Sequence, residues 1–117
     1  SNIMFTLVVS EILKLDLNKS INSINNFKTL KHRLEFVGNV DGINYYDNSI
    51  ATVPMATIEA IKALKNVDTL IIGGMDRGID YTDFIKYLDS SDISNIVCMP
   101  KTGHDIAKKL KNKKTFI

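Results

Sequence analysis

Three short apolar runs separated by helical patterns limit the fold more than any other feature. Val67–Ile72 is a largely apolar run ending in Gly73-Gly74, Ile93–Met99 is a second run closed by Pro100, and Thr115–Ile117 begins a third. A strand buried on both faces has this composition. Between the runs, Phe84, Ile85 and Leu88 recur at helical spacing, as do Ile106, Ala107 and Leu110. Thr82 or Asp83 is expected to cap the first of these helices, and Thr102 or Gly103 to open the second. Strand, helix, strand, helix, strand is the pattern of a mainly parallel α/β sheet with right-handed crossovers, flanked by helices. Ligands of such sheets bind outside the carboxyl ends of the strands.

Upstream, Leu34–Val37 and Ile43–Tyr46 are expected to form an antiparallel hairpin across the turn-rich Gly38–Gly42. A polar turn, Asp47–Ala51, then leads to a helix over Pro54–Leu64, whose Pro suits a first helical turn. Met55, Ile58, Ile61 and Leu64 are its expected buried stripe. The first 29 residues differ from the rest, with two helical patterns and no strand. Residues 2–14 are apolar on most faces and call for burial on more than one side. Asn18 or Ser20 is the expected cap of a second helix, and Ile21, Ile24 and Phe27 form its stripe.

The composition excludes several classes. A net charge of +2 over 117 residues is no nucleic-acid signature, and no aromatic-rich basic module accompanies it. Lys101, Lys108, Lys109, Lys111, Lys113 and Lys114 form either a solvated face or an anion-binding patch. Cys98 is the single cysteine, so no internal disulfide forms, and its apolar strand makes it a core residue in a reducing, cytoplasmic setting. The apolar start, Ile3–Val9, is too short to span a bilayer and lacks the basic flank of a signal peptide, so no membrane partner is expected.

Chemistry-bearing residues concentrate in three places. Asp47, Asn48, Ser49 and Thr52 crowd the strand-to-helix turn, where such residues serve equally as turn formers and as ligand groups. Gly73–Gly78 follows a strand and contains Arg77, whose planar fork suits a carboxylate or phosphate but also the neighbouring Asp76 and Asp80. His32 and Arg33 precede the first strand, as surface charge or as contacts to a phosphate, base or ribose. No metal-spaced His, Cys or carboxylate set and no nucleophile elbow appears.

Three segments together, HRLE at 32–35, DNSIAT at 47–52 and IIGGMDRGIDY at 71–81, resemble the C-terminal domain of the Mur ligases, specifically the MurD type that adds glutamate to UDP-N-acetylmuramoyl-L-alanine. Residues 1–29 resemble the helical end of that family's central ATPase domain, and residues 30–117 its C-terminal domain, truncated at its C-terminal end. The resemblance implies an ATP-dependent, ADP-releasing ligase of cytoplasmic peptidoglycan synthesis. ATP phosphorylates the substrate carboxylate and the glutamate amine attacks the acyl phosphate. It also implies a Rossmann-like fold, a mainly parallel sheet flanked by helices, acting as a lid whose closure completes the active centre.

Carried over by position, His32, Arg33, Asn48 and Ser49 are nucleotide-binding, and Thr52 and Arg77 are glutamate-binding. Mg2+ would be held mainly by the central domain, so no metal ligand is expected in this chain. Two positions depart from the pattern: Ile50 stands where Lys is frequent, and Asn48 where an acid is usual. The glutamate stereoisomer stays open. The phosphate loop and UDP-binding domain of the family are not in this sequence, so the chain alone is expected to be inactive. Phosphate release from ATP in the presence of the UDP-sugar would overturn that. The sheet edge at Thr115–Ile117 can pair artefactually with a second copy. A folylpolyglutamate synthase-like or other Mur ligase domain, and a non-catalytic anion-binding α/β module, are the alternatives.

Overall fold

The computed structural model describes residues 2–117. The chain forms two compact units that meet in sequence between Lys31 and His32. The first contains α1 (Asn2–Ile12) and α2 (Leu17–Asn25). Asp16 caps α2, its Oδ1 accepting the N–H groups of Asn18 and Lys19 at 2.9 and 3.1 Å. This replaces the expected cap at Asn18 or Ser20: Asp16 is the residue placed to receive both first-turn donors. The expected burial of α1 and of the α2 stripe is not found. Phe5, Ile12 and Phe27 are about 70% exposed, and Ser10 is the one buried residue of α1.

The second unit begins with the antiparallel hairpin β1 (Glu35–Val40) and β2 (Ile43–Asp47). Its turn is only Asp41-Gly42, both at positive φ (52° and 84°), the geometry that matches the twist of paired strands. The strand therefore runs on through Gly38–Val40, which sequence composition assigns to a link. Asn39 secures the turn, its Oδ1 accepting the Gly42 N–H at 3.2 Å and its amide donating to Asn44 Oδ1 at 2.7 Å. The register shifts between Phe36 and Gly38, and Phe36 packs against Tyr46 with ring centroids 5.4 Å apart.

Helix α3 (Pro54–Leu64) follows, then β3 (Thr69–Gly74), α4 (Thr82–Ser90), β4 (Asn95–Lys101), α5 (Thr102–Ala107) and β5 (Lys114–Phe116). The last three strands form a parallel sheet in the order β3-β4-β5. The mixed α/β fold, a helix-flanked parallel sheet preceded by a hairpin, is thus the expected one. Its core joins Ile58 and Ile61 of α3, Phe84, Ile85 and Leu88 of α4, Ile96 and Cys98 of β4 and Ile106 of α5, with Ile93 just before β4.

Several details differ from expectation, each through a local cause. Met55 is exposed, and α3 buries only Ile58 and Ile61. β3 alternates rather than being buried on both faces: Leu70 and Ile72 are half-buried on the side of Ile96 and Cys98, whereas Ile71 is 65% exposed. Two crossovers in the same direction along a sheet put their helices on one face. Pro100 does not stop β4. Gly74 pairs with Lys101 where Ile72 pairs with Cys98, so Met99 and Pro100 oppose Gly73 alone, and such a bulge tolerates the missing N–H. Gly73 is required there, because a Cβ would lie 2.7 Å from that of Met99. Tyr81, not Thr82 or Asp83, takes the N-cap position of α4 without a side-chain cap bond, and Asp80 just ahead of it accepts the Thr82 N–H at 2.8 Å and its hydroxyl at 2.6 Å. α5 ends at Ala107, before the half-buried Leu110. Cys98 is buried as expected, and burial pushes its thiol up. Among the described residues no helix is long and apolar enough to cross a membrane.

Candidate functional site

The hairpin brings two of the three sequence segments together. Glu35 pairs with Asp47 across the strands, which places residues 32–34 beside the polar turn at 47–50. Three hydrogen bonds then join the segments. His32 Nδ1 meets Asp47 Oδ2 at 2.7 Å, the Leu34 N–H donates to Asn48 Oδ1 at 3.1 Å, and the Ile50 N–H donates to the His32 carbonyl at 3.2 Å. The His32 N–H turns inward to Glu35 Oε2 at 2.7 Å. These bonds hold a strained backbone, since His32 and Leu34 sit at φ 63° and 48°. A side chain at positive φ is costly unless its surroundings enforce it.

Asp47 is the hub. Its Oδ2 faces His32 and its Oδ1 accepts the Ser49 N–H at 2.8 Å. The His32 ring first, then the Ser49 backbone N–H and hydroxyl, hold its carboxyl at about 2, below the ordinary 3.8. Residue type alone presents Asp47 as one more turn former. The missed signal was the cross-strand register that sets it beside His32, fifteen residues away.

The remaining expected residues are placed as follows. Asn48 is half-buried, and its amide orientation is fixed by chemistry. A backbone N–H needs an oxygen, so Oδ1 faces Leu34 and the NH2 group remains as donor. Ser49, Thr52 and Arg33 are exposed, and Arg33 makes no ion pair among the described residues. α3 begins two residues after Thr52 with no side-chain cap; Pro54 has no N–H and the Ala56 N–H is taken by the Val53 carbonyl at 3.1 Å, so Met55 keeps the open first-turn N–H beside the turn. The cluster therefore gathers an imidazole, a guanidinium, an amide and one open backbone donor, a set that suits an oxyanion.

Arg77 stands apart, past the carboxyl end of β3. Its neutralisation by Asp76 and Asp80 does not occur. Asp76 Oδ1 accepts the Gly78 N–H at 2.8 Å, Asp80 is engaged by Thr82, and Arg77 is exposed with no ion pair among the described residues. No hydrogen bond joins it to the His32 cluster among those residues. Thr102 donates its hydroxyl to the Gly74 carbonyl at 2.9 Å, which ties the strand end before Arg77 to the start of α5. In the basic stretch, Lys108 pairs with Asp105 on the surface at 2.8 Å.

One group of described residues could hold a metal ion: His32, Glu35 and Asp47 each offer a ligand atom within 4.8 Å of the others. Their spacing in sequence does not show it, because only the hairpin register brings them together. The His32–Asp47 contact of 2.7 Å is closer than two ligand atoms sit on a tetrahedral zinc, roughly 3.3 Å from the bond lengths. The geometry is that of a hydrogen-bonded network.

No family model matches the chain. Curated proteins do, and three of them share the name UDP-N-acetylmuramoylalanine–D-glutamate ligase. The Borreliella burgdorferi (strain ZS7) protein is 38% identical over 89 residues, 74% of this chain and 20% of the relative. That of Lachnoclostridium phytofermentans is 34% identical over 110 residues, 94% of this chain and 24% of the relative. That of Cytophaga hutchinsonii is 36% identical over 105 residues, 90% of this chain and 23% of the relative. The chain spans about a fifth to a quarter of the length of these relatives.

Proposed function

We infer that this chain, a homologue of one segment of the UDP-N-acetylmuramoylalanine–D-glutamate ligases, is the part of such a ligase that closes over the nucleotide and the incoming amino acid. On this reading residues 1–29 end the central ATPase domain and residues 30–117 belong to the C-terminal lid. The parent joins glutamate to UDP-N-acetylmuramoyl-L-alanine in the cytoplasm, driven by ATP. Glutamate is the D isomer, following the relatives' names. The chain alone is inactive, because the groups that activate the carboxylate lie outside it.

The observation that carries the reading is the union of HRLE and DNSIAT. Residues separated in sequence converge on one donor-rich spot at a strand-to-helix turn. His32, Arg33, Asn48 and Ser49 fit the nucleotide: a guanidinium and an imidazole for phosphate oxygens, and an amide NH2 for a ribose oxygen. With its oxygen engaged by Leu34, Asn48 donates to that hydroxyl where an acid would accept from it. Bound ATP with Mg2+ would supply the phosphoryl group and its charge neutralisation, and the donors here would orient it. Thr52 and Arg77 fit the glutamate side. The guanidinium of Arg77, without an ion pair among the described residues, is available for the side-chain carboxylate, a role that Ile50 cannot share.

Chemical-shift mapping with millimolar MgATP tests the nucleotide assignment on the chain itself. Shifts confined to 32–35 and 47–53 support it. Shifts confined to the lysines after α5, or none at all, would remove the nucleotide from this spot. An anion-binding module outside the ligases would respond equally to inorganic phosphate.

A further inference from the structure

The His32–Asp47 pair is chemically asymmetric. An Asp47 carboxylate only accepts hydrogen bonds, and both of its oxygens are engaged, Oδ1 by the Ser49 N–H at 2.8 Å and Oδ2 by His32 Nδ1 at 2.7 Å. The ring nitrogen in that contact must therefore carry the hydrogen. The backbone that bears the imidazole is itself anchored. Its N–H is bound by Glu35, its carbonyl by Ile50, and its left-handed φ of 63° is held by those contacts. A ring fixed at both ends has one nitrogen left to offer.

We propose that Asp47 is a positioning residue: it fixes the His32 ring with its hydrogen on Nδ1 and so makes Nε2 the nitrogen presented to a ligand. This rests on the reading of His32 as nucleotide-facing, and adds to it which atom makes the contact. Nε2 accepts a hydrogen bond from a hydroxyl or amine when the ring is neutral, and donates to a phosphate oxygen when the ring is protonated. In either state the ring plane is set by Asp47. Without that carboxylate the two tautomers compete and the useful atom is present only part of the time.

The substitution Asp47→Asn gives a sharp consequence. Asn has one oxygen where Asp has two, and two donors claim it. The Ser49 backbone N–H has no alternative state, whereas the imidazole can move its proton. The oxygen stays with Ser49, the amide NH2 turns to His32, and Nδ1 must become the acceptor. The variant therefore inverts the tautomer, as a carboxylate-to-amide change does when it faces a catalytic histidine.

The test is a long-range proton–nitrogen correlation spectrum of the 15N-labelled chain at about pH 8.5, well above the ordinary histidine value of about 6.5. His104 serves as the internal reference. In the native chain the bare nitrogen of His32 should be Nε2. In Asp47→Asn it should be Nδ1, with the amide spectrum outside residues 32–52 unchanged. A native His32 that carries its hydrogen chiefly on Nε2 overturns the proposal. So does an Asp47→Asn variant that keeps the native tautomer with its hairpin intact. Should the variant lose the hairpin, the native spectrum decides alone.

MgATP added to the same samples separates the positioning role from the nucleotide reading. The expected tautomer without any nucleotide response at Nε2 sinks the nucleotide reading and leaves the positioning role standing. A nucleotide response with the opposite tautomer does the reverse.

Discussion

Gly103 lies in the first turn of the helix that supports the edge bearing Arg77, and Gly103→Ala should destabilise the chain. Two effects oppose each other. Replacing Gly by Ala within a helix favours folding by about 0.8–1 kcal/mol. The added Cβ, however, would lie 2.6 Å from the carbonyl oxygen of Ile72, 3.1 Å from the carbonyl carbon of Cys98 and 3.3 Å from its Cα. All three atoms are backbone of hydrogen-bonded neighbouring strands, so none can rotate away. Overpacking of this kind costs about 1–3 kcal/mol, and a contact this short belongs at the upper end. The net expectation is a loss of about 2 kcal/mol, or a fall in Tm of roughly 8 °C or more. α5 must lift, and the Thr102 hydroxyl then loses the Gly74 carbonyl, loosening the approach to Arg77. Gly38→Ala is the control, since its Cβ meets nothing within 4 Å. Thermal and urea melts followed by circular dichroism measure both. A Gly103→Ala chain melting at or above the native temperature would refute the packing argument.

Acid should act through Asp47. Its carboxyl is depressed to about 2 from 3.8, so the stability it contributes is complete above 3.8 and disappears as pH falls through about 2. Between pH 4 and 2 the native hairpin should lose amide protection faster than that of Asp47→Asn; equal acid sensitivity would show that the pair is not the cause. Cys98, only 2% exposed, should resist thiol reagents in the native state and react only at the rate of opening. Stoichiometric labelling within seconds under native conditions would contradict its place in the core.

Much of the architecture was legible because local chemistry and tertiary demand agreed. Pro54 marks the first turn of α3 where its missing N–H costs nothing, and the three apolar runs specify a parallel sheet because each needs a neighbour on at least one face. What was not legible depended on partners distant in sequence. Ile71 looks as buried as Leu70 and Ile72 until the crossovers place their helices on the other face. Pro100 looks like a terminator until the register shows a bulge opposite Gly73. The first-turn donors of α2 and α4 went to Asp16 and Asp80, just ahead of the expected residues, because several neighbouring polar side chains can serve and only backbone geometry chooses.

The site divides in the same way. His32, Asn48 and Arg77 were visible as residue types in a pattern. Asp47 was visible as one of the turn's polar residues, but its role as the partner of His32 was not, because that lies in a cross-strand neighbour. Arg77 had two open roles, and the side chains of Asp76 and Asp80 remove one by binding their own turns.

The most direct measurement is the glutamate dependence of the complete ligase carrying Arg77→Ala. Arg77 holds no ion-pair partner among the described residues, so the variant should melt as the native protein does. Loss of one charge-assisted carboxylate contact, about 1.5–3 kcal/mol, should raise the glutamate KM by roughly 10- to 150-fold and leave the ATP KM nearly unchanged. An unaltered glutamate KM at native stability would contradict the account, and would take this edge of the sheet out of the amino-acid site.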